Sequence, residues 1–185
     1  MSTLFKNAAK AVAIALVLPL FVAAELPQQS KARKEALQLT RSIEQTSRKI
    51  QRDADDLGMG HRSQFSNRSH NIKLQRIKDH INEQLKPAFD RLAELQPQLP
   101  EWKQGAVDQM RTSAVSLASS TNDAILKLND NQIGRPAALN PEYGELVASM
   151  ASHADSLVQL ADATSDYGGA QLKGHEAGLP ITSHN

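Results

Sequence analysis

Four stretches of this chain repeat apolar residues at alternating steps of three and four, and that spacing leaves few options for its fold. In the first, Ala36, Leu39, Ile43, Thr46, Ile50, Ala54 and Leu57 fall on one stripe of a helix. Lys, Arg, Glu, Gln and Asp occupy its other faces. The second stripe is Leu74, Ile77, Ile81, Leu85, Ala88, Leu92 and Leu95. The third carries Trp102, Ala106, Met110, Ala114, Leu117, Thr121, Ala124 and Leu128. Ser113, Ser116, Ser119 and Ser120 surround that third stripe, so its face is small and either admits a close neighbour or leaves a groove. The fourth stripe is Tyr143, Leu146, Val147, Met150, Ala154, Leu157, Ala161 and Thr164.

Local signals bound these helices at about 29–57, 71–96, 101–131 and 141–167. Gly58 and Gly60 read as the first stop, and Ser69 or Asn71 as the next N-cap. Pro87 interrupts the second helix without breaking its phase, which predicts a bend at that point. Pro100 and Asn140-Pro141-Glu142 open the last two helices, and Gly168-Gly169 closes the fourth. Residues 168–185, rich in glycine and poor in apolar anchors, read as a disordered tail. The expected fold is all-α: an antiparallel up-down-up-down four-helix bundle with shallow crossing angles over residues 25–167. Its rival is a three-helix or elongated coiled-coil form that completes its core by dimerising, so the expected state is a monomer or a helical homodimer.

Residues 1–24 have a different character. Lys6 and Lys10 precede an apolar run from Ala11 to Ala24 that closes on Val22-Ala23-Ala24. That is the layout of a cleavable signal peptide. The run is short of the roughly 20 apolar residues a bilayer-spanning helix needs, and Pro19 breaks it. The mature chain is therefore expected to be exported, periplasmic or extracellular, with no membrane attachment after cleavage. Loss of Lys6 and Lys10 from the 21 basic residues leaves 19 against 20 acidic ones. Such near-neutrality argues against a nucleic-acid binder. The chain has no cysteine, so apolar burial must stabilise it without disulfides.

No phosphate loop, HExxH, GxSxG or Cys-x-x-Cys-His motif is present. Register counting at 1.5 Å per residue brings His80 and His153 to similar heights, with Thr46 and Thr121 near the same level. The expectation is a polar layer in an aliphatic core. It reads as a hydrogen-bonded register device, as an arrangement in which His80 faces solvent, or as a haem or metal site on His80 and His153. A second candidate is the segment Gly58–His70, read as a long loop in which Arg62 and Arg68 flank Phe65 and could grip an anionic group. Asp53, Asp55 and Asp56 crowd the expected end of the first helix, where the dipole disfavours them. The reading that follows is a non-enzymatic exported bundle acting as a binding, adaptor, sensor or chaperone-like module. It would hold no resident cofactor and would meet an unknown protein or small-molecule partner, with a haem- or metal-binding bundle as the alternative.

Overall fold

The computed structural model describes residues 27–62, 66–130 and 140–176. Almost all of these residues are helical, and no strand occurs among them. Helix α1 spans Pro27–Arg62, and α2 spans Asn67–His80. A single π turn, Ile81–Leu85, joins α2 directly to α3 at Lys86–Leu95. A short 3-10 turn at Gln96–Gln98 leads to α4, Glu101–Asp130, and α5 follows at Pro141–Glu176. Because α2, the π turn and α3 form one continuous rod, the described chain is a bundle of four helical rods.

Most described residues of the four stripes point inward. Ile43, Ile50, Leu74, Ile77, Leu92, Met110, Leu117, Met150, Leu157 and Ala161 are wholly buried. At about 25 cal/mol per Å² this apolar burial is the main term opposing chain entropy. The rods do not contact one another equally. The most extensive contacts join α1 to α5, and α4 to α5 comes next. Contacts of α2 and the π turn with α4 are much sparser.

Polar ties connect the rods along their lengths. Between α1 and the second rod, Glu35 meets Arg91, Thr46 meets Gln84, Asp53 meets Arg76 and Asp56 meets Lys73. Gln51 donates to Asp155 of α5, and Ser120 of α4 shares a hydrogen bond with Ser149. The Lys127 ammonium pairs with Glu142 between the end of α4 and the start of α5.

Several sequence expectations need correction at the helix ends. Gly58 and Gly60 do not stop α1, which continues to Arg62. A Cβ at Gly58 would sit 3.8 Å from Val147 Cγ1, an ordinary contact, so the glycine rests against α5 inside a helix. Likewise, α5 passes through Gly168 and Gly169 and reaches Glu176. Gly168 lies inside the bundle because a Cβ there would come within 3.0 Å of Lys103 Nζ. The missing side chain makes room for a lysine that is only 4% exposed. Burial, together with the nearby Arg33 charge, lowers the Lys103 pKa from its ordinary value. Residues 168–176, read as the start of a disordered tail, are therefore helical, and 177–185 lie outside the described residues.

The cap of α2 is Ser66, not Ser69 or Asn71. Its Oγ accepts from the Ser69 backbone N–H at 3.3 Å. Other boundaries agree with expectation: Asn140 Oδ1 caps α5 by accepting from the Glu142 and Tyr143 N–H groups. The backbone carbonyl of Pro100 accepts from Lys103 N–H at the entry to α4.

Candidate functional site

Pro87 has no N–H to return to residue 83, and its ring collides with the carbonyl one turn back. The chain accommodates this with the π turn, whose signature is the Lys86 N–H donating to Ile81 O, five residues earlier. A π turn inserts one extra residue, and each residue of a helix is about 100° of rotation. The expected stripe nevertheless stays buried through and beyond it at Leu85, Ala88, Leu92 and Leu95. Phe89, outside the expected stripe, is buried to 6% exposure, and Ile81, inside that stripe, is only half-buried.

The half-buried Ile81 faces a groove. Ile81, Asn82, Leu85, Lys86, Phe89 and Asp90 form one wall, and Arg111, Ala114, Val115 and Ala118 of α4 form the other. Its volume is about 320 Å³. A second depression of about 160 Å³ shares Ile81, Asn82 and Ala118 and continues the trough toward Lys78 and Ile125. The small α4 face of alanines and serines is what leaves this space: Ala114 and Ala118 are too short to fill the gap to the π turn. Val115 remains 64% exposed on the rim. Its lining is mainly hydrocarbon with a few charged groups at the ends, the usual make-up of a ligand cleft. At one end the Arg111 guanidinium reaches across and donates a long 3.4 Å hydrogen bond to the Phe89 carbonyl.

Behind the groove the π turn holds a short polar chain. Thr46 Oγ1 donates to Gln84 Oε1 at 3.1 Å, and Gln84 Nε2 lies 3.0 Å from His80 Nδ1. With Oε1 taken up by Thr46, the Gln84 NH₂ donates to His80, and Nδ1 accepts. The expected layer is thus partly assembled, with Gln84 as the link the stripe pattern did not reveal. Thr121 takes no part: its hydroxyl donates to Leu117 O within α4 at 2.8 Å. His153 is half-buried on α5, and no hydrogen bond among the described residues joins it to His80. Among those residues, no group of three or more His, Asp or Glu side chains is placed to hold a metal ion.

The second candidate site is rearranged by the extension of α1. The expected thirteen-residue loop contracts, because α1 ends at Arg62 and α2 begins at Asn67. Arg62 closes α1, Arg68 is exposed in the first turn of α2, and Phe65 lies outside the described residues. Nor do the acidic residues sit at a helix terminus. Asp53 is 7% exposed and accepts from Arg76 Nη1 at 3.1 Å, with Lys73 Nζ 3.9 Å away. The same lysine donates to Asp56 at 2.6 Å, so these carboxylates clamp α1 to α2.

The structure also contains a buried polar pair that the stripe pattern does not reveal. His70 Nδ1 and Tyr143 Oη share a 2.8 Å hydrogen bond, and both residues are almost wholly buried. Their rings are 5.4 Å apart between centroids. This bond ties the first turn of α2 to the first turn of α5. Burial pushes the Tyr143 phenol well above its ordinary pKa and keeps it protonated. A tyrosine on a stripe needs a hydroxyl partner, but local sequence places His70 in a loop and so hides it as that partner.

No helix among the described residues is long and apolar enough to cross a membrane. No family model, curated protein or solved structure matches this chain.

Proposed function

We propose that this chain is an exported, non-enzymatic bundle that works by binding an apolar ligand in the groove between the π turn and α4. The observation that carries this reading is the groove itself: about 320 Å³ of mainly apolar space left open between two helical rods. A cleft of a few hundred Å³ with few polar groups is the usual shape of a small-molecule site. The signal-like pattern of Lys6, Lys10 and Ala11–Ala24 supports export.

An up-down-up-down order with shallow crossings is the arrangement of rods that goes with this reading. The antiparallel order within this arrangement is supported by the order of the cross-helix pairs. Glu35, Thr46 and Asp53 ascend along α1 while their partners Arg91, Gln84 and Arg76 descend along the second rod. Ser120 and Lys127 meet Ser149 and Glu142 in the same reversed order.

Nile red, a neutral dye that brightens in apolar surroundings, tests the reading. The folded chain should enhance and blue-shift its emission, and Ala118→Phe, which fills the groove, should abolish the effect. No enhancement in the parent, or equal enhancement in Ala118→Phe, would contradict it. Export is tested separately by N-terminal sequencing of chain recovered outside the cytosol, where Glu25 should be the first residue; recovery with Met1 intact would refute it.

A further inference from the structure

The charges along the trough are unbalanced. Its titratable lining residues are Lys78, Lys86, Arg111 and Asp90, three cations against one carboxylate. Lys86 and Asp90 face each other at 3.6 Å, both largely exposed, and so partly neutralise one another. Arg111 and Lys78 have no carboxylate within ion-pair distance among the described residues. Asp108, one turn before Arg111 on α4, accepts from Gln96 instead. Arg111 is held at the mouth of the larger depression by its contact with the Phe89 carbonyl, which leaves other N–H groups of its fork available. A half-buried guanidinium beside hydrocarbon is a good receptor for an anionic head, since charge-assisted hydrogen bonds are about twice as strong as neutral ones. Leading away from it, Phe89, Leu85 and Ile81 on one wall and Ala114 and Ala118 on the other make an apolar track. Ala114 to Ile125 covers roughly 16 Å of helix, at 1.5 Å per residue.

Resting on the groove reading above, we propose that the occupant is a single-chain anionic amphiphile taken up as a dissolved monomer. Its head pairs with Arg111 and its hydrocarbon chain runs along Leu85, Ile81, Ala114 and Ala118. Charge selects the head and the alanine wall admits the chain, so affinity requires both parts in one molecule.

Displacement of Nile red by amphiphiles of matched chain length tests this. Below its micelle concentration, dodecanoate should displace the dye about ten-fold more effectively than dodecanol, the difference expected of one charged hydrogen-bonded contact. Dodecyltrimethylammonium should be the weakest of the three. Arg111→Gln should shrink the preference for dodecanoate over dodecanol to under about three-fold, and Arg111→Lys should restore most of it. Val115→Asp places a negative charge on the exposed rim; it should weaken dodecanoate and strengthen dodecyltrimethylammonium, with far-ultraviolet circular dichroism unchanged. Equal displacement by all three amphiphiles would overturn the assignment of charge and leave the groove intact. Failure of Nile red to bind at all would instead remove the groove reading. Association with anionic phospholipid vesicles but not with dissolved dodecanoate would point to a membrane surface and overturn the proposal. So would a dimer in sedimentation whose formation competes with the dye, because a second copy would then be the occupant.

Discussion

Two seams of this bundle are built from similar small residues and come out differently. Between α1 and α5, Ala54, Ala154 and Ala161 are wholly buried among Ile43, Ile50, Met150 and Leu157. There the alanines let two regular helices approach, and larger neighbours fill the remaining space. Between α4 and the second rod, Ala114 and Ala118 face a π turn, and the gap stays open as a groove. Small residues give close packing only where both backbones are free to close on them. Beside Pro87 and the π turn, Ile81 is only half-buried and lines the groove instead of closing the second seam. One side of the molecule thus supplies stability and the other supplies a cleft.

Substitutions in the two seams can break that contrast. Ile50→Ala should be the most damaging, costing about 3 kcal/mol in urea unfolding, within the range for emptying a wholly buried site. Val115→Ala, at 64% exposure, should stay within about 0.5 kcal/mol. Equal losses would mean that the two seams pack alike. Enlarging the alanines sharpens the test. Ala154→Leu should cost about 1–3 kcal/mol through overpacking, while Ala118→Leu should be tolerated or slightly stabilising.

At the end of the bundle, Tyr143→Phe removes the hydroxyl bonded to His70 and should cost about 1–2 kcal/mol. Tyr143 also sets an alkaline limit. Its folded pKa is raised, so folded and unfolded forms are both protonated below about pH 10, and this group adds no pH dependence there. Above that pH the unfolded phenol ionises first, and stability should fall as pH rises. Tyr143→Phe should flatten that fall in pH-dependent unfolding; an unchanged alkaline limb would show that another group governs it. Gly58→Ala should act in the opposite direction, because a methyl group there finds an ordinary 3.8 Å contact with Val147. Its helix-propensity gain should raise stability by about 0.5–1 kcal/mol. Gly168→Ala should gain less, because the new Cβ displaces Lys103.

Much of the all-helical core was legible because burial follows the three-four spacing directly. Every apolar residue of the second stripe except Ile81 is buried. What escaped were features set by neighbours. Gly58 and Gly168 look like helix stops in isolation, but the bundle supports the helix on both sides of them, and at Gly168 the missing side chain makes room for Lys103. Pro87 announced a local disturbance, and the stripe keeps its phase through it; the added burial of Phe89 and the partial exposure of Ile81 depend on how the chain resolves that disturbance. Thr46 and His80 were placed near one level, yet Gln84, the residue that joins them, has no distinguishing pattern. The groove was foreshadowed in the serine- and alanine-rich third stripe, which fixed its material but not which neighbour would fail to close over it.

Because the chain contains no cysteine, single-cysteine variants report one position cleanly. Thiol labelling of Ala118→Cys and Ala154→Cys under native conditions compares the two seams directly. The account predicts that Ala118→Cys reacts quickly and is protected by dodecanoate, while Ala154→Cys reacts only as fast as the whole bundle unfolds. Equal protection of both thiols without ligand, or no effect of dodecanoate on Ala118→Cys, would contradict it.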